Sequence, residues 1–242
     1  MIDLHCHILP ALDDGALDLA DSLAMARQAE RDGITTICAT PHIRDDHDVE
    51  IDELPARIAE LQGELDRHGV EVRIAQGGEV SQLGADTLSD AHLRAVSLGG
   101  GGWILLEPAP GPIAEALPAL AHRLAHRGMR TIVAHPERHA GAGFERYLHE
   151  LKEAGCLIQW TAEFIAERPA GAAEDPILRL AREGLVDVLA SDAHSSHGGR
   201  PVRLSGGVER LREVCTAEQV SWITEQAPAT ILPAAPVDAP RR

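Results

Sequence analysis

Residues 34–44 read ITTICATPHIR, a β-branched run that ends at a proline and a histidine. A short apolar run of this kind predicts a buried β-strand, with His42 at its carboxyl end. The same event recurs along the chain: a strand-like run, then a polar side chain, then a helix-like stretch. This repetition, more than any single motif, decides the predicted fold.

Seven strand-like runs alternate with stretches that carry apolar residues at helical spacing. The predicted strands are IDLHC, ITTICAT, VEVRIA, WILLE, RTIVAH, CLIQW and LVDVLAS. The predicted helices lie within 18–32, 50–68, 83–96, 113–127, 143–154, 174–183 and, as a pair, 205–226. The short connections predict a parallel sheet covered by helices. We find no repeat and no linker, so we predict one domain over 1–235 and a loosely ordered tail over 236–242.

The composition excludes several classes of partner. The net charge is −16 and Lys152 is the only lysine, so the surface repels nucleic acid and anionic membranes. No apolar run approaches the length of a membrane span. The N-terminal MIDLHCH has no basic signal-peptide region. Three of the four cysteines fall in strand-like runs without C-x2-C pairs, which indicates buried thiols in a reducing cytoplasm.

Six of the seven predicted strands deliver a ligand-type side chain at the carboxyl end. His5 and His7 are two residues apart on a strand and therefore point to the same side. The candidate metal ligands are His5, His7, Asp14, His42, Glu79, Glu107, His135, Asp192 and His194. Only the sixth strand, which ends in Gln159 and Trp160, offers none. Active sites of parallel sheets lie at this end, and convergence on one mouth favours a barrel over an open sheet.

Charge explains why these residues predict metal ions. Four carboxylates in one mouth would repel one another and take up protons unless cations were bound. Two or three divalent ions would offset them, and three would leave the mouth attractive to an anion. The nitrogen and oxygen donors allow manganese, iron, zinc or magnesium. Arg138 in HPER and Arg200 in HGGRP are candidates for contacts with a phosphate, whose oxygens match a guanidinium fork.

Residues 38–44 also match C-x5-R, the spacing used by cysteine phosphatases. Such a site needs a loop of free backbone N–H groups that leads into a helix. Cys38 instead lies inside a predicted strand, and Pro41 lacks an N–H. We therefore interpret the match as accidental, Cys38 as a core residue and His42 as the functional residue.

The motifs HCHILPALDDGA, ATPH, GGE, LLE, AHPER and SDAH, in this order over residues 1–200, closely resemble the polymerase and histidinol phosphatase (PHP) superfamily. Within it they are similar to the manganese-dependent protein tyrosine phosphatases of bacterial capsule operons, the CpsB/YwqE type. This resemblance implies a distorted seven-stranded β/α barrel with a trinuclear site. It also implies that the nine candidate ligands bind the metals and that Arg138 and Arg200 contact the substrate.

The implied reaction is removal of phosphate from the tyrosine-rich tail of a kinase that controls polysaccharide export, by attack of metal-bound hydroxide. His139 and His197 are candidates to assist the leaving group. The chain departs from the family pattern at His139, where Asn is common, and in LLEPAPGP, where LLE-Phe-Pro is common. Both changes bear on substrate specificity.

Three other functions stay open from the sequence. One is a small-molecule phosphatase of the same superfamily, such as a histidinol phosphatase. A second is an amidohydrolase, although many of those need a lysine at a strand end and Lys152 lies in a predicted helix. The third is a metal-dependent module that binds phosphotyrosine without turnover, which would show lost ligands.

Overall fold

The nine strands that the computed structural model shows in residues 1–169 and 175–232 are all paired in parallel. The strands are β1 Ile2–Cys6, β2 Thr36–Ala39, β3 His42–Ile43, β4 Arg73–Gln76, β5 Glu79–Ser81, β6 Trp103–Glu107, β7 Arg130–Val133, β8 Leu157–Thr161 and β9 Val188–Ala190. They form a three-stranded sheet, β1-β2-β4, and a six-stranded sheet, β3-β5-β6-β7-β8-β9.

The predicted count of seven strands differs from these nine because two of the predicted runs are each divided. The second run breaks into β2 and β3 around Pro41, which has no N–H to donate to a ladder. The third run breaks into β4 and β5 at Gly77 and Gly78. A Cβ on Gly77 would lie 2.8 Å from Cys38 Sγ and 2.9 Å from a Leu98 methyl, so this close approach requires glycine.

The sheets curl until the first and last strands meet. Just beyond β9, Ala193 accepts a hydrogen bond from the backbone N–H of His7 at 2.9 Å, and Asp192 donates one to the carbonyl of His5 at 2.8 Å. The fold is thus a single α/β domain with a curled parallel sheet. The carboxyl ends of β1 and β9 are adjacent as a result.

Helices pack against the sheets. They are α1 Leu19–Arg31, α2 Leu54–Arg67, α3 Asp90–Val96, α4 Ala116–His126, α5 Phe144–Glu153, α6 Ala162–Ala166, α7 Pro176–Arg182, α8 Ser205–Arg212, α9 Ala217–Ser221 and α10 Ala227–Ile231. The sequence missed α6 and α10, and α3 is shorter than the predicted 83–96. Ser89 caps its N-terminus by accepting a hydrogen bond from the N–H of His92, so the helix begins only there.

The core is aliphatic, as the 2% aromatic content requires. Leu61 and Leu65 of α2 and Ala26 and Ala29 of α1 are buried against the sheets, which matches the predicted apolar stripes. The predicted boundary at 235 and the predicted tail 236–242 lie outside the described residues. Within 1–169 and 175–232, no helix has the length and apolarity needed to cross a membrane.

Candidate metal centre

All nine predicted ligands lie together, at the carboxyl ends of β1, β2, β4, β6, β7 and β9 or in the residues that follow them. They form four overlapping groups, and the ligand atoms of each group lie within 4.8 Å of one another. The groups are His5–His135–Asp192, His5–His7–Glu79, His42–Glu79–Glu107 and His7–Asp14–His42–His194. Ligands that share one ion at about 2 Å can be no more than about 4 Å apart, close to these separations.

Glu79, the first residue of β5, lies at the centre of the cluster. Its Oε1 is 2.7 Å from His135 Nε2, and its Oε2 is 2.9 Å from His42 Nδ1. The same Oε2 is 3.3 Å from Nε2 of both His5 and His7. Burial opposes its charge, but the His5 imidazole and the hydrogen bonds with His135 and His42 hold the pKa of Glu79 well below its usual range.

The donor set fits divalent cations. Asp192 Oδ1 is buried and has no hydrogen-bond partner among the described residues, and the buried Glu79 Oε2 faces imidazole nitrogens at 2.9 and 3.3 Å. Buried carboxylate oxygens without full partners are costly, and divalent cations bound in the cluster would stabilise both. The nitrogen and oxygen donors without a thiolate are those of manganese, iron, zinc or magnesium sites.

Asp13 is a functional residue that the sequence reading overlooked in favour of Asp14. Its Oδ2 lies 2.7 Å from His7 Nδ1 and accepts the N–H of His42 at 2.9 Å. Burial lowers the pKa of His7, but the hydrogen bonds with Asp13 and Glu79 outweigh it and raise this pKa to about 9. Asp13 therefore orients His7 and leaves Nε2 toward the cluster. The sequence did contain a sign of this role, because Asp13 stands directly beside the predicted ligand Asp14.

Gln159 of β8, the sixth predicted strand, contacts two of the candidate ligands. Its Oε1 lies 3.0 Å from His5 Nδ1 and accepts the N–H of His135 at 3.3 Å. Because an amide oxygen only accepts, His5 must carry its proton on Nδ1, which leaves Nε2 free as a ligand. The only signal in the sequence was a polar residue in the otherwise apolar run CLIQW.

Two ligands sit on a strained backbone. His135 has φ 28° and Asp192 has φ 50°, in the left-handed region that side chains other than glycine rarely adopt. Such residues cost about 1–3 kcal/mol each and persist where the surroundings impose them. At these two strand ends, the turn directs the side chain into the cluster.

Both predicted arginines lie beside Asp192. Arg138 forms a close ion pair with Asp192 Oδ2, and Arg200 Nε donates to the Asp192 carbonyl at 2.5 Å. The Arg200 guanidinium also contacts His194 Nδ1 at 2.9 Å. Burial and the charge of Arg200 lower the pKa of Arg138. Two neighbouring guanidinium groups, each about one-third exposed, provide the positive charge that an anion at this edge would meet.

Arg44 also reaches the rim, on the side of Glu107. Its guanidinium lies 3.4 Å from Glu107 Oε2 and 2.7 Å from Asp46.

The Cys38 thiol, by contrast, is fully buried and donates to the carbonyl of Gln76 at 3.0 Å. Burial raises the pKa of Cys38 to about 12, so this thiol is protonated at neutral pH. The two ends of the C-x5-R match do not share a site.

The predicted helper histidines differ in their placement. His139 is half-buried, and its Nδ1 lies 2.9 Å from the Gly111 carbonyl. His197 is exposed in the loop after β9, and its backbone N–H donates to Ser195 Oγ at 3.1 Å. The structure thus ties His139 to another rim loop.

Comparison with known proteins decides the family. Residues 1–233 match the model of the family described as capsular polysaccharide synthesis, CpsB/CapC. The chain belongs to the CpsB/CapC family. This finding confirms the resemblance that the strand-end motifs indicated.

Relatives of this CpsB/CapC chain carry phosphatase names. It is 35% identical to the tyrosine-protein phosphatase YwqE of Bacillus subtilis over 200 residues, which cover 81% of the chain and 78% of the relative. It is 26% identical to the putative tyrosine-protein phosphatase CapC of Staphylococcus aureus over 199 residues, with 81% and 77% covered.

Solved structures agree with the family and with the fold. One from a study of YwqE of B. subtilis and CpsB of Streptococcus pneumoniae, described as unique metal-dependent tyrosine phosphatases, superposes with a TM-score of 0.81. It is 29% identical, and the match covers 96% of this chain and 94% of that one. An organophosphorus hydrolase mutant, 16% identical with a TM-score of 0.58 over 96% and 92% of the two chains, shares the fold alone.

Lys152 does not provide the strand-end lysine of an amidohydrolase. It lies on α5 and pairs with Asp187 through two contacts of 2.6 Å. Asp187 precedes β9, whereas the cluster follows it. The lysine is therefore at the opposite end of the strand from the candidate site.

Proposed function

We propose that this CpsB/CapC chain is a metal-dependent protein tyrosine phosphatase. The observation that carries the proposal is the convergence of nine nitrogen and oxygen donors next to two guanidinium groups. The names of YwqE and CapC and the structural match to metal-dependent tyrosine phosphatases support the same activity. None of the nine ligand positions is lost, which argues against a module that binds without turnover.

We propose that two or three divalent ions, with manganese as the first choice among manganese, iron, zinc and magnesium, bind the nine residues. The four groups share His5, His7, His42 and Glu79, so three ions would engage all nine residues. With Nδ1 of His5 and of His7 engaged by Gln159 and Asp13, each ring offers only Nε2. When bound, such ions acidify water and polarise a phosphate.

Residues around the nine ligands have further roles in phosphate transfer. Arg138 and Arg200 are placed to neutralise the free oxygens of a phosphate, since their guanidinium groups flank Asp192 on the exposed side. Asp13 and Gln159 keep His7 and His5 in one tautomer and one orientation. A phenolate leaving group has a pKa of about 10, so it needs less help from a general acid than an alkoxide.

We propose the phosphotyrosine-rich tail of a bacterial kinase in capsule or exopolysaccharide synthesis as the substrate. The family description, capsular polysaccharide synthesis, supports this setting. The net charge of −16 disfavours nucleic acid as a partner. Membrane insertion is likewise not expected of the chain, and its cytoplasmic location stays a prediction.

We also propose that the two sheets form one distorted barrel of seven strand-bearing segments within a single domain over 1–235. The hydrogen bonds between the end of β1 and the residues after β9 support closure. The division of the second and third segments into β2–β3 and β4–β5 accounts for the distortion.

Three measurements test the activity. Purified protein with added manganese should hydrolyse 4-nitrophenyl phosphate, and EDTA should remove this activity. The kcat/KM for a phosphotyrosyl peptide should exceed that for histidinol phosphate. A higher value for histidinol phosphate would instead make the chain a small-molecule phosphatase, and binding of the peptide without turnover would make it a binding module.

A further inference from the structure

Residues 109–113 form a rim segment that follows Glu107, one of the nine candidate ligands. Prolines 108, 110 and 112 alternate with other residues, so only Ala109, Gly111 and Ile113 have backbone N–H groups there. Such a segment cannot hold itself in place by a ladder of backbone hydrogen bonds. Its position depends on partners outside it.

Two of the three hydrogen bonds that the structure shows for this segment go to His139. The ring Nδ1 of His139 lies 2.9 Å from the Gly111 carbonyl, and the Ile113 N–H donates to the His139 carbonyl at 3.3 Å. The third joins the Ala109 N–H to Gln82 Oε1 at 2.9 Å. Because a carbonyl can only accept, Nδ1 of His139 is the donor.

Glycines make this arrangement possible on both sides. Gly111 has φ 102°, which a residue with a Cβ rarely adopts. A Cβ on Gly141 would lie 2.9 Å from Pro112, so the loop after β7 and the rim segment are in close contact. His139 therefore joins two loops that each follow a strand bearing a candidate ligand, Glu107 on β6 and His135 after β7.

One of the joined loops carries Arg138, a candidate for phosphate contact. Arg138 directly precedes His139 and pairs with Asp192, while residues 110–112 are exposed at the rim. A phosphate ester that reaches Arg138 would bring the rest of its chain against this rim. A small aryl phosphate has nothing to place there, whereas a peptide has residues on both sides of its phosphotyrosine.

We propose that His139 is a positioning residue that holds segment 109–113 as a wall of the mouth, and that this wall contacts the peptide part of the substrate. The proposal rests on the proposed function for its substrate class. The claim that His139 holds the wall in place depends only on the contacts of His139 and not on the proposed function. His139 acts through the segment and not on the phosphate, so it sets specificity.

The test uses two substitutions at His139 that place a side-chain amide nitrogen at different distances from the backbone. The amide nitrogen of an asparagine occupies nearly the place of a histidine Nδ1, whereas that of a glutamine reaches further, toward the place of Nε2. His139→Asn therefore keeps the donor to Gly111, and His139→Gln misplaces it. His122→Ala, on the exposed face of α4, is the control for loss of a surface histidine.

Kinetics with two substrates give the first readout. For His139→Gln we expect the KM for a phosphotyrosyl peptide to rise roughly two- to tenfold, as loss of one hydrogen bond implies, with kcat unchanged. Both constants for 4-nitrophenyl phosphate should change by a smaller factor than the KM for the peptide. His122→Ala should match the wild type on both substrates, and His139→Asn should lose less than His139→Gln on the peptide. Equal losses on both substrates, no loss on either, or equal losses in the Asn and Gln variants would overturn the proposal.

Hydrogen exchange gives a second readout that does not depend on activity. The amides of residues 109–113 should exchange faster in His139→Gln than in His139→Asn or the wild type, while the rest of the chain is unchanged. Unchanged exchange in the Gln variant would end the claim that His139 holds the segment. If the wild type hydrolysed neither ester, the proposed function would fail, and exchange would still decide whether the wall depends on His139.

Discussion

Two aspartates flank the same strand and have opposite surroundings. Asp187 precedes β9 and is 5% exposed, and both its carboxylate oxygens accept hydrogen bonds, from Lys152 Nζ at 2.6 Å and from the Ile158 N–H at 2.9 Å. Asp192 follows β9 and is 1% exposed, but its Oδ1 has no donor among the described residues. Its φ is 50°, and His5 Nε2 lies 3.4 Å from Oδ1.

The difference separates a structural carboxylate from a functional one. A buried carboxylate whose oxygens all accept hydrogen bonds is stable in its observed geometry without a further partner. A buried carboxylate with an unsatisfied oxygen, on a strained backbone and among imidazole nitrogens, is stable only with a further partner. The substitutions that follow test this distinction, beginning with the largest expected effect.

Asp192→Asn should remove function while the protein stays folded. The amide nitrogen of asparagine cannot replace an anionic oxygen as a metal ligand, so we expect the metal content to fall. Turnover of 4-nitrophenyl phosphate should drop more than about a hundredfold, which exceeds the loss typical of residues that only orient ligands. Metal analysis, steady-state kinetics and thermal unfolding measure the three quantities. Full metal content with normal turnover would refute the functional reading of Asp192.

Gln159→Leu should have the next largest effect, because it removes the acceptor that orients His5 and His135. We expect manganese to bind about 10- to 100-fold more weakly in calorimetric titrations. Gln159→Glu keeps an acceptor oxygen at the same place and should bind manganese more tightly than the Leu variant. Equal affinities in the two variants would show that Gln159 only fills space.

Lys152→Met should affect stability and leave the metal centre intact. The buried Asp187 carboxylate would lose its cation, which costs about 3 kcal/mol in unfolding free energy, measured by urea denaturation. Metal content should equal that of the wild type. In the double variant Lys152→Met/Asp187→Asn the uncompensated charge is gone, so part of the loss should be recovered. Loss of metal in the Lys152 variant would contradict the claim that Asp187, before β9, is structural and separate from the metal centre after β9.

Cys38→Ser should have the smallest effect, with turnover unchanged. Because burial raises the pKa of Cys38 to about 12, only about one thiol in ten thousand is ionised at pH 8. Iodoacetamide at that pH should therefore not inactivate the protein. His42→Ala, four residues further on, should abolish turnover. Inactivation of the Cys38 variant with its metal content intact would return the thiolate to consideration.

Much of the candidate site was predictable because it depends on local events. His5, His42 and Asp192 each stand at the end of an apolar run, and parallel strands bring such ends to one edge whatever the details of packing. The family resemblance followed from the same motifs. The strand count was less predictable, since a proline and a pair of glycines divide two runs without changing their apolar pattern.

Residues that orient the ligands were not predictable in this way. Gln159 is one polar residue in a buried strand, and its partners His5 and His135 are distant in the sequence. The two departures from the family pattern, His139 and the proline-rich segment after Glu107, gave no sign in the sequence that they touch each other. Such contacts join loops from different strands, so only the folded chain shows them.

The sequence by itself determined the alternation of strands and helices, the family, and the donors available at each strand end, because all of these depend on short stretches of chain. The tertiary structure alone decided that Asp187 is satisfied and Asp192 is not, although both border β9. Whether a buried carboxylate finds its donors depends on residues such as Lys152 and Arg138 that come from other elements, and their positions are fixed only when the sheets curl and the helices pack.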